Sequence, residues 1–195
     1  DVKDAAAKII LSKSFDYATS CSSENSVIIQ ESVYGEMIEE FIQLGSYFVK
    51  AEERQILENH MWKINKKGYK ALNAGIVAQS AESIAIAAGL KVPAGTKVLF
   101  VEGSEDIEND WFSQEKLSPV LTVFKYDKFE EGYEKLVRLT DNCGTGHSCG
   151  INTGTAAYVE HLGVNMKSSR IMVNQPQAPA NGGNFFNGMP STVSL

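Results

Sequence analysis

Cys21 lies in Ser20-Cys21-Ser22-Ser23-Glu24, between a helix expected over Asp4 to Ser12 and the apolar run Val27-Ile28-Ile29. A cysteine attacks as thiolate, and a free thiol with a pKa of about 8.5 is only a few per cent ionised at neutral pH unless donors or dipoles help. Ser20, Ser22, Ser23 and the local amides are candidate donors. The competing reading is a small core hydrophobe, because free cysteine is among the most buried residue types; the polar flanks on both sides weigh against it.

A second reactive stretch is Gly144-Thr145-Gly146-His147-Ser148. The two glycines permit a tight turn that delivers His147 to the start of a strand, as acid, base or ligand contact, or as a purely structural turn histidine. Glu115, in Glu115-Lys116-Leu117-Ser118-Pro119, precedes another strand and is placed either to accept from ribose hydroxyls or to face solvent in a turn. Cys143, His147 and Cys149 form Cys-x3-His-x-Cys, which lacks the four ligands and paired spacing of a structural zinc site, so no metal is expected. Cys149 reads as a core residue of its strand.

The chain has 195 residues, 43% hydrophobic and 22% charged, enough for one well-buried domain over residues 1–195. A net charge of -6 gives no clustered basic face and argues against a nucleic-acid partner. Lys63, Lys66, Lys67 and Lys70 are the densest cations, a solvated helix end or a lure for a phosphate-bearing ligand. Three cysteines without framework spacing, no signal peptide and no long apolar span point to a reducing, cytoplasmic compartment and no membrane. The start at Asp1 is unusual and suggests an excised piece of a longer enzyme.

Strand and helix patterns alternate. Ser26 to Gln30, Lys97 to Val101, Leu121 to Tyr126, Ser148 to Asn152 and Arg170 to Val173 read as strands. Val33, Met37, Ile38, Phe41 and Ile42 make a helical stripe through Phe48, and a second helix is expected from Glu52 to Asn65 with Ile56, Leu57, His60, Met61 and Ile64 inward. Ser80 caps a helix through Ala88 that Gly89 closes, Phe129 to Val137 marks another, and Ala156 to Leu162 a further one. This alternation predicts a three-layer αβα fold with a mostly parallel sheet, its ligands at the strand C-terminal ends. Gln175 to Pro190, rich in Asn, Gly, Pro and Gln, reads as a long loop whose bare backbone at Asn181-Gly182-Gly183-Asn184 can approach a ligand. A dinucleotide fingerprint is absent.

Phe15-Asp16 followed by Cys21-Ser22-Ser23-Glu24-Asn25-Ser26 resembles the nucleophile segment of CoA-acylating aldehyde dehydrogenases. The likeness continues in order through Lys70 to Ala74, Ile76 to Gln79, Glu115 to Pro119, Gly144 to His147 and Ser169 to Asn174. The late loop, with Gln175-Pro176-Gln177 and Gly183 to Pro190, looks more like the sulfoacetaldehyde branch than the acetaldehyde one. The resemblance implies an aldehyde dehydrogenase catalytic domain with Cys21 as nucleophile and His147 assisting CoA or contacting cofactor. It implies Glu115, Gly144 and Gly146 on the NAD or NADP side, and coenzyme A as cosubstrate. For a sulfonate-bearing aldehyde, Thr19, Ser20, Ser22, Gln177 and Asn184 are the candidate substrate contacts. A nucleotide-binding domain and a C-terminal segment that helps form a homo-oligomer would lie outside residues 1–195, so the isolated domain should turn over weakly. Hydrolytic aldehyde oxidation, acetaldehyde or succinate-semialdehyde substrates, and a thiol hydrolase using Cys21 with His147 stay open as alternatives.

Overall fold

A computed structural model describes residues 1–184 and 187–191. Helix α1 (Val2–Ser14) starts at Asp1, whose side chain accepts from the Asp4 N–H, and buries Ala5, Ala6, Ile9 and Ile10. Strand β1 (Ser26–Gln30) leads into α2 (Glu31–Gln43), which buries Met37 and Phe41 while Ile42 faces solvent. The helix expected through Phe48 stops earlier, because Gly45 adopts φ +94 and the next residues form β2 (Ser46–Phe48). The following helix is also shorter than expected. α3 (Ala51–Met61) gives way to an antiparallel hairpin of β3 (Trp62–Ile64) and β4 (Lys70–Leu72), turned by Asn65 and by Gly68 at φ +82. Leu57 and Met61 are buried as expected; Ile56 and Ile64 are exposed instead.

α4 (Ala81–Ala88) runs from the Ser80 cap to Gly89 in the left-handed region, matching expectation. β5 (Val98–Glu102), β6 (Val120–Tyr126), α5 (Phe129–Cys143), β7 (Gly146–Ile151), α6 (Ala156–Asn165) and β8 (Ser168–Val173) follow. The late polar stretch, expected to be loop throughout, contains one short helix, α7 (Gln177–Asn181).

The main sheet is parallel throughout, in the order β1-β6-β5-β2. Side chains alternate across it, as the pleat demands. Val98, Phe100, Leu121 and Val123 pack against α1 and α2, while Leu99, Val101 and Val120 meet α3 and α4. Each fully buried Leu or Val here contributes roughly 1.5–3 kcal/mol. The α/β class and the layering agree with the sequence reading. The sheet differs in one respect: β7 and β8 form a separate parallel pair, and a cavity of about 840 Å³ lies between β1 and β7. α5 contributes Tyr133, Leu136 and Leu139 to its wall.

Candidate active site

The chain leaves α1 through three consecutive left-handed residues, Asp16 (φ 47), Tyr17 (φ 51) and Ala18 (φ 55). None is glycine, so each costs on the order of 1 kcal/mol or more, a strain that surrounding contacts must hold. Thr19 helps hold it, its hydroxyl donating to the Asp16 carboxylate at 2.6 Å and to the Asp16 carbonyl at 3.0 Å. Ala18 is fully buried under the reversal. Its consequence is that Cys21 is exposed on the following turn, while Ser22, Ser23 and Glu24 are buried beneath it. The thiol faces solvent and the cavity rather than the core.

Cys21 precedes β1 and Glu115 precedes β6. Because these strands are parallel neighbours, both groups sit at the N-terminal edge of the sheet, opposite to the C-terminal location expected. The cause is topological: both candidate groups are carried on turns that enter the strands, and Asn25 ties the two turns together by accepting from the Lys116 N–H at 3.0 Å. The cavity walls include Cys21, Ser22, Glu115, Cys143, Gly144, Gly146, His147, Gln175 and Gln177. Glu115 is exposed at the rim. Gly144 (φ +113) and Gly146 (φ +105) satisfy a backbone need, since a Cβ on either would meet nothing within 4 Å.

His147 is half-buried, and its Nδ1 accepts the Ser148 N–H at 2.8 Å. With Nδ1 engaged as acceptor, the neutral ring carries its proton on Nε2 and presents a donor. Among the described residues no hydrogen bond joins Cys21 to His147, so a Cys–His hydrolase pair is not assembled. Cys143 donates to the Ser113 carbonyl at 2.7 Å, and burial raises its pKa. Cys149 is buried in β7, as expected of a core residue.

The candidate substrate contacts divide. Ser22 and Gln177 line the cavity; Thr19, Ser20 and Asn184 do not. Thr19 is engaged with Asp16, the Ser20 hydroxyl pairs with that of Ser22 at 2.7 Å, and the Asn184 amide side chain accepts from the Asn187 N–H at 3.0 Å. The late-loop motif also includes Phe185 and Phe186, which lie outside the described residues.

Sequence reasoning missed a buried charged layer behind the nucleophile turn. Lys13 and Lys116 are both fully buried. Lys116 Nζ donates to the carbonyls of Phe112 (2.5 Å) and Gln114 (3.0 Å), whereas among the described residues Lys13 Nζ has no hydrogen-bond partner. Burial, and then the neighbouring Lys116 charge, brings Lys13 down to about 7; burial brings Lys116 down to about 8. Glu24 accepts from the Ser12 hydroxyl at 2.5 Å and from the Gln177 N–H at 3.3 Å, and burial pushes its carboxyl pKa up. The only sequence signal for this layer was the placement of Ser12, Lys13 and Glu24 on either side of Cys21.

Among the described residues no helix is long and apolar enough to cross a membrane. The model of the aldehyde dehydrogenase family matches residues 1–193. The chain is 65% identical over its whole length to a sulfoacetaldehyde dehydrogenase from Acholeplasma sp, spanning 40% of that protein. It is 54% identical to a sulfoacetaldehyde dehydrogenase (acylating) from Bilophila wadsworthia, spanning 42% of it. In structure it matches an acetylating aldehyde dehydrogenase from Geobacillus thermoglucosidasius with a TM-score of 0.85 and 33% identity, over 91% of this chain and 38% of that one. The chain thus spans about two fifths of the length of these relatives. With an exposed thiol on a strained turn at the sheet edge and a family match over almost all its residues, the chain belongs to the aldehyde dehydrogenase family.

Proposed function

We propose that this chain is the nucleophile-bearing part of a longer enzyme that oxidises a small aldehyde, sulfoacetaldehyde being the best candidate, to its CoA thioester. The single observation that carries this reading is the exposure of Cys21 on the turn after the left-handed reversal, opening onto a cavity whose walls also include Glu115 and His147. The two sulfoacetaldehyde dehydrogenases support the substrate choice through their identity over the whole chain.

In this mechanism the Cys21 thiolate adds to the aldehyde carbonyl carbon, forming a C–S bond and moving the carbonyl electrons onto oxygen. His147 Nε2–H and the Cys21 backbone N–H are the donors assigned to that oxyanion. When bound, an NAD(P) nicotinamide supplies the acceptor for the hydride that leaves this carbon. Glu115 fits the ribose end of such a cofactor, as an exposed carboxylate on the cavity rim that can accept from two hydroxyls. Cys21 is left holding an acyl thioester. Attack by the CoA thiolate forms the product thioester and returns the Cys21 thiolate, an exchange of one thioester for another. Ser22, Gln175 and Gln177 are the neutral donors on the cavity wall assigned to the substrate sulfonate, which needs hydrogen bonds once partly desolvated.

The full-length enzyme should reduce more than one equivalent of NAD(P) per Cys21 with sulfoacetaldehyde only when CoA is supplied, and should then run at least about tenfold faster than with acetaldehyde or succinate semialdehyde. His147→Phe should lower kcat by roughly a hundredfold, the loss of one oxyanion donor. Turnover without CoA, or equal rates across the three aldehydes, refutes the reading.

A further inference from the structure

The buried contacts behind Cys21 converge on α7, and they do so from two sides. From the nucleophile side, Ser12 Oγ accepts the Ala178 N–H at 2.8 Å while donating to Glu24, and Glu24 accepts the Gln177 N–H. Ser12 is completely buried and Glu24 nearly so; both Ser12 bonds are sheltered from water, and the Gln177–Glu24 bond is partly so. From the other side, the Gln177 side chain lies against Gly150 of β7, so closely that a Cβ at Gly150 would come 3.0 Å from Gln177 Nε2. Asn181, at the end of α7, accepts from Arg170 of β8. Among the described residues no ladder joins β7–β8 to the main sheet. Helix α7 therefore bridges two bodies: one carries Cys21, the other His147.

We propose that the Ser12–Glu24 pair is a latch that seats α7 and thereby keeps the His147 strand in register with the Cys21 turn. Glu24 is a positioning residue, acting through Gln177 and α7 rather than on the substrate. This rests on the roles given to Cys21 and His147 above. The latch explains why a carboxylate is buried directly behind an exposed nucleophile. Its three hydrogen bonds join residues 12, 153 and 166 positions apart in the chain: one pairs Ser12 with Glu24, and the other two hold the consecutive N–H groups of Gln177 and Ala178. It also assigns Gly150 a purpose, since a Cβ there would press on the Gln177 side chain at 3.0 Å and on the Met172 carbonyl at 3.2 Å.

The test is hydrogen exchange on the full-length enzyme, read over residues 146–151 and 168–173, together with steady-state kinetics. Glu24→Ala and Ser12→Ala each remove buried bonds of the latch, and each should speed exchange in these strands by about tenfold. kcat should fall by a similar factor. Glu24→Gln keeps an acceptor for the Gln177 N–H and should restore most of the protection. Ile84→Val, buried in the opposite face between α4 and the sheet, should lower thermal stability and leave exchange at β7–β8 unchanged. If both alanine variants exchange there at the wild-type rate, or Ile84→Val speeds exchange equally, the latch is overturned. The two readings fail separately. An active Cys21→Ser enzyme removes the proposed chemistry, whereas an inactive one combined with wild-type exchange in the latch variants removes only the latch.

Discussion

Lys13 offers a quantitative test of the buried layer. Its side chain is fully buried, its Nζ has no hydrogen-bond partner among the described residues, and Lys116 adds a like charge nearby. A fall in pKa from 10.5 to about 7 means that the folded chain releases a proton which the unfolded chain still holds between about pH 7 and 10.5. In that window the unfolded state binds more protons, so folding stability rises with pH. At about 1.4 kcal/mol for each pH unit of depression, the full span is on the order of 5 kcal/mol. Lys13→Met keeps the apolar stem and removes the amine. It should therefore raise the urea midpoint at pH 7, by a margin that shrinks toward pH 10, and flatten the rise between them. The attraction of Lys13 to Glu24 works the other way and is already contained in the value of about 7. Lys116→Met is the contrasting perturbation: burial brings Lys116 down only to about 8, and it donates to two carbonyls, so losing those bonds, at about 1–3 kcal/mol, offsets the gain from removing its buried charge and this variant should gain clearly less than Lys13→Met at pH 7. A Lys13→Met protein that is less stable than wild type at pH 7, with an unchanged pH slope, would refute the argument.

Two further perturbations probe the turn and the sheet. Ala18→Val places a β-branched residue at φ 55 in a fully buried site and should cost about 2–3 kcal/mol, read by urea unfolding, with slower alkylation of Cys21 if the turn collapses inward. Gly103→Ala drives a Cβ to 2.2 Å from the Phe124 ring, itself buried against Ile107 and Leu139, so it should lower stability by about 1–3 kcal/mol in the same assay.

Much of this architecture is legible in the residues. Ser26 to Gln30 is a strand because its apolar run is bounded by polar turns, and Ser80 with Gly89 brackets α4 by capping chemistry alone. Short elements are harder. β2 and β3 have three residues each, too few for a period to separate strand from helix, so Gly45 and the Asn65–Gly68 turn were the only warnings. Cys21, Glu115 and His147 are legible as candidates from residue type and turn placement, and the structure brings all three to the wall of one cavity. The strained reversal at Asp16 to Ala18 was not legible, since no glycine marks it. Nor were the burial of Lys13 and Lys116, which runs against the usual exposure of lysine, or the Glu24–Gln177 bond, whose partners are 153 positions apart.

The central claim is that Cys21 carries the acyl group. Incubating the full-length enzyme with sulfoacetaldehyde and NAD(P), with CoA omitted, and then mapping peptides by mass spectrometry tests it most directly. The account predicts a sulfoacetyl adduct on the Cys21 peptide that disappears when CoA is added, and none on the Cys143 peptide, whose thiol is held on the Ser113 carbonyl. An adduct on Cys143 in place of Cys21, or undiminished turnover by Cys21→Ser, would contradict it.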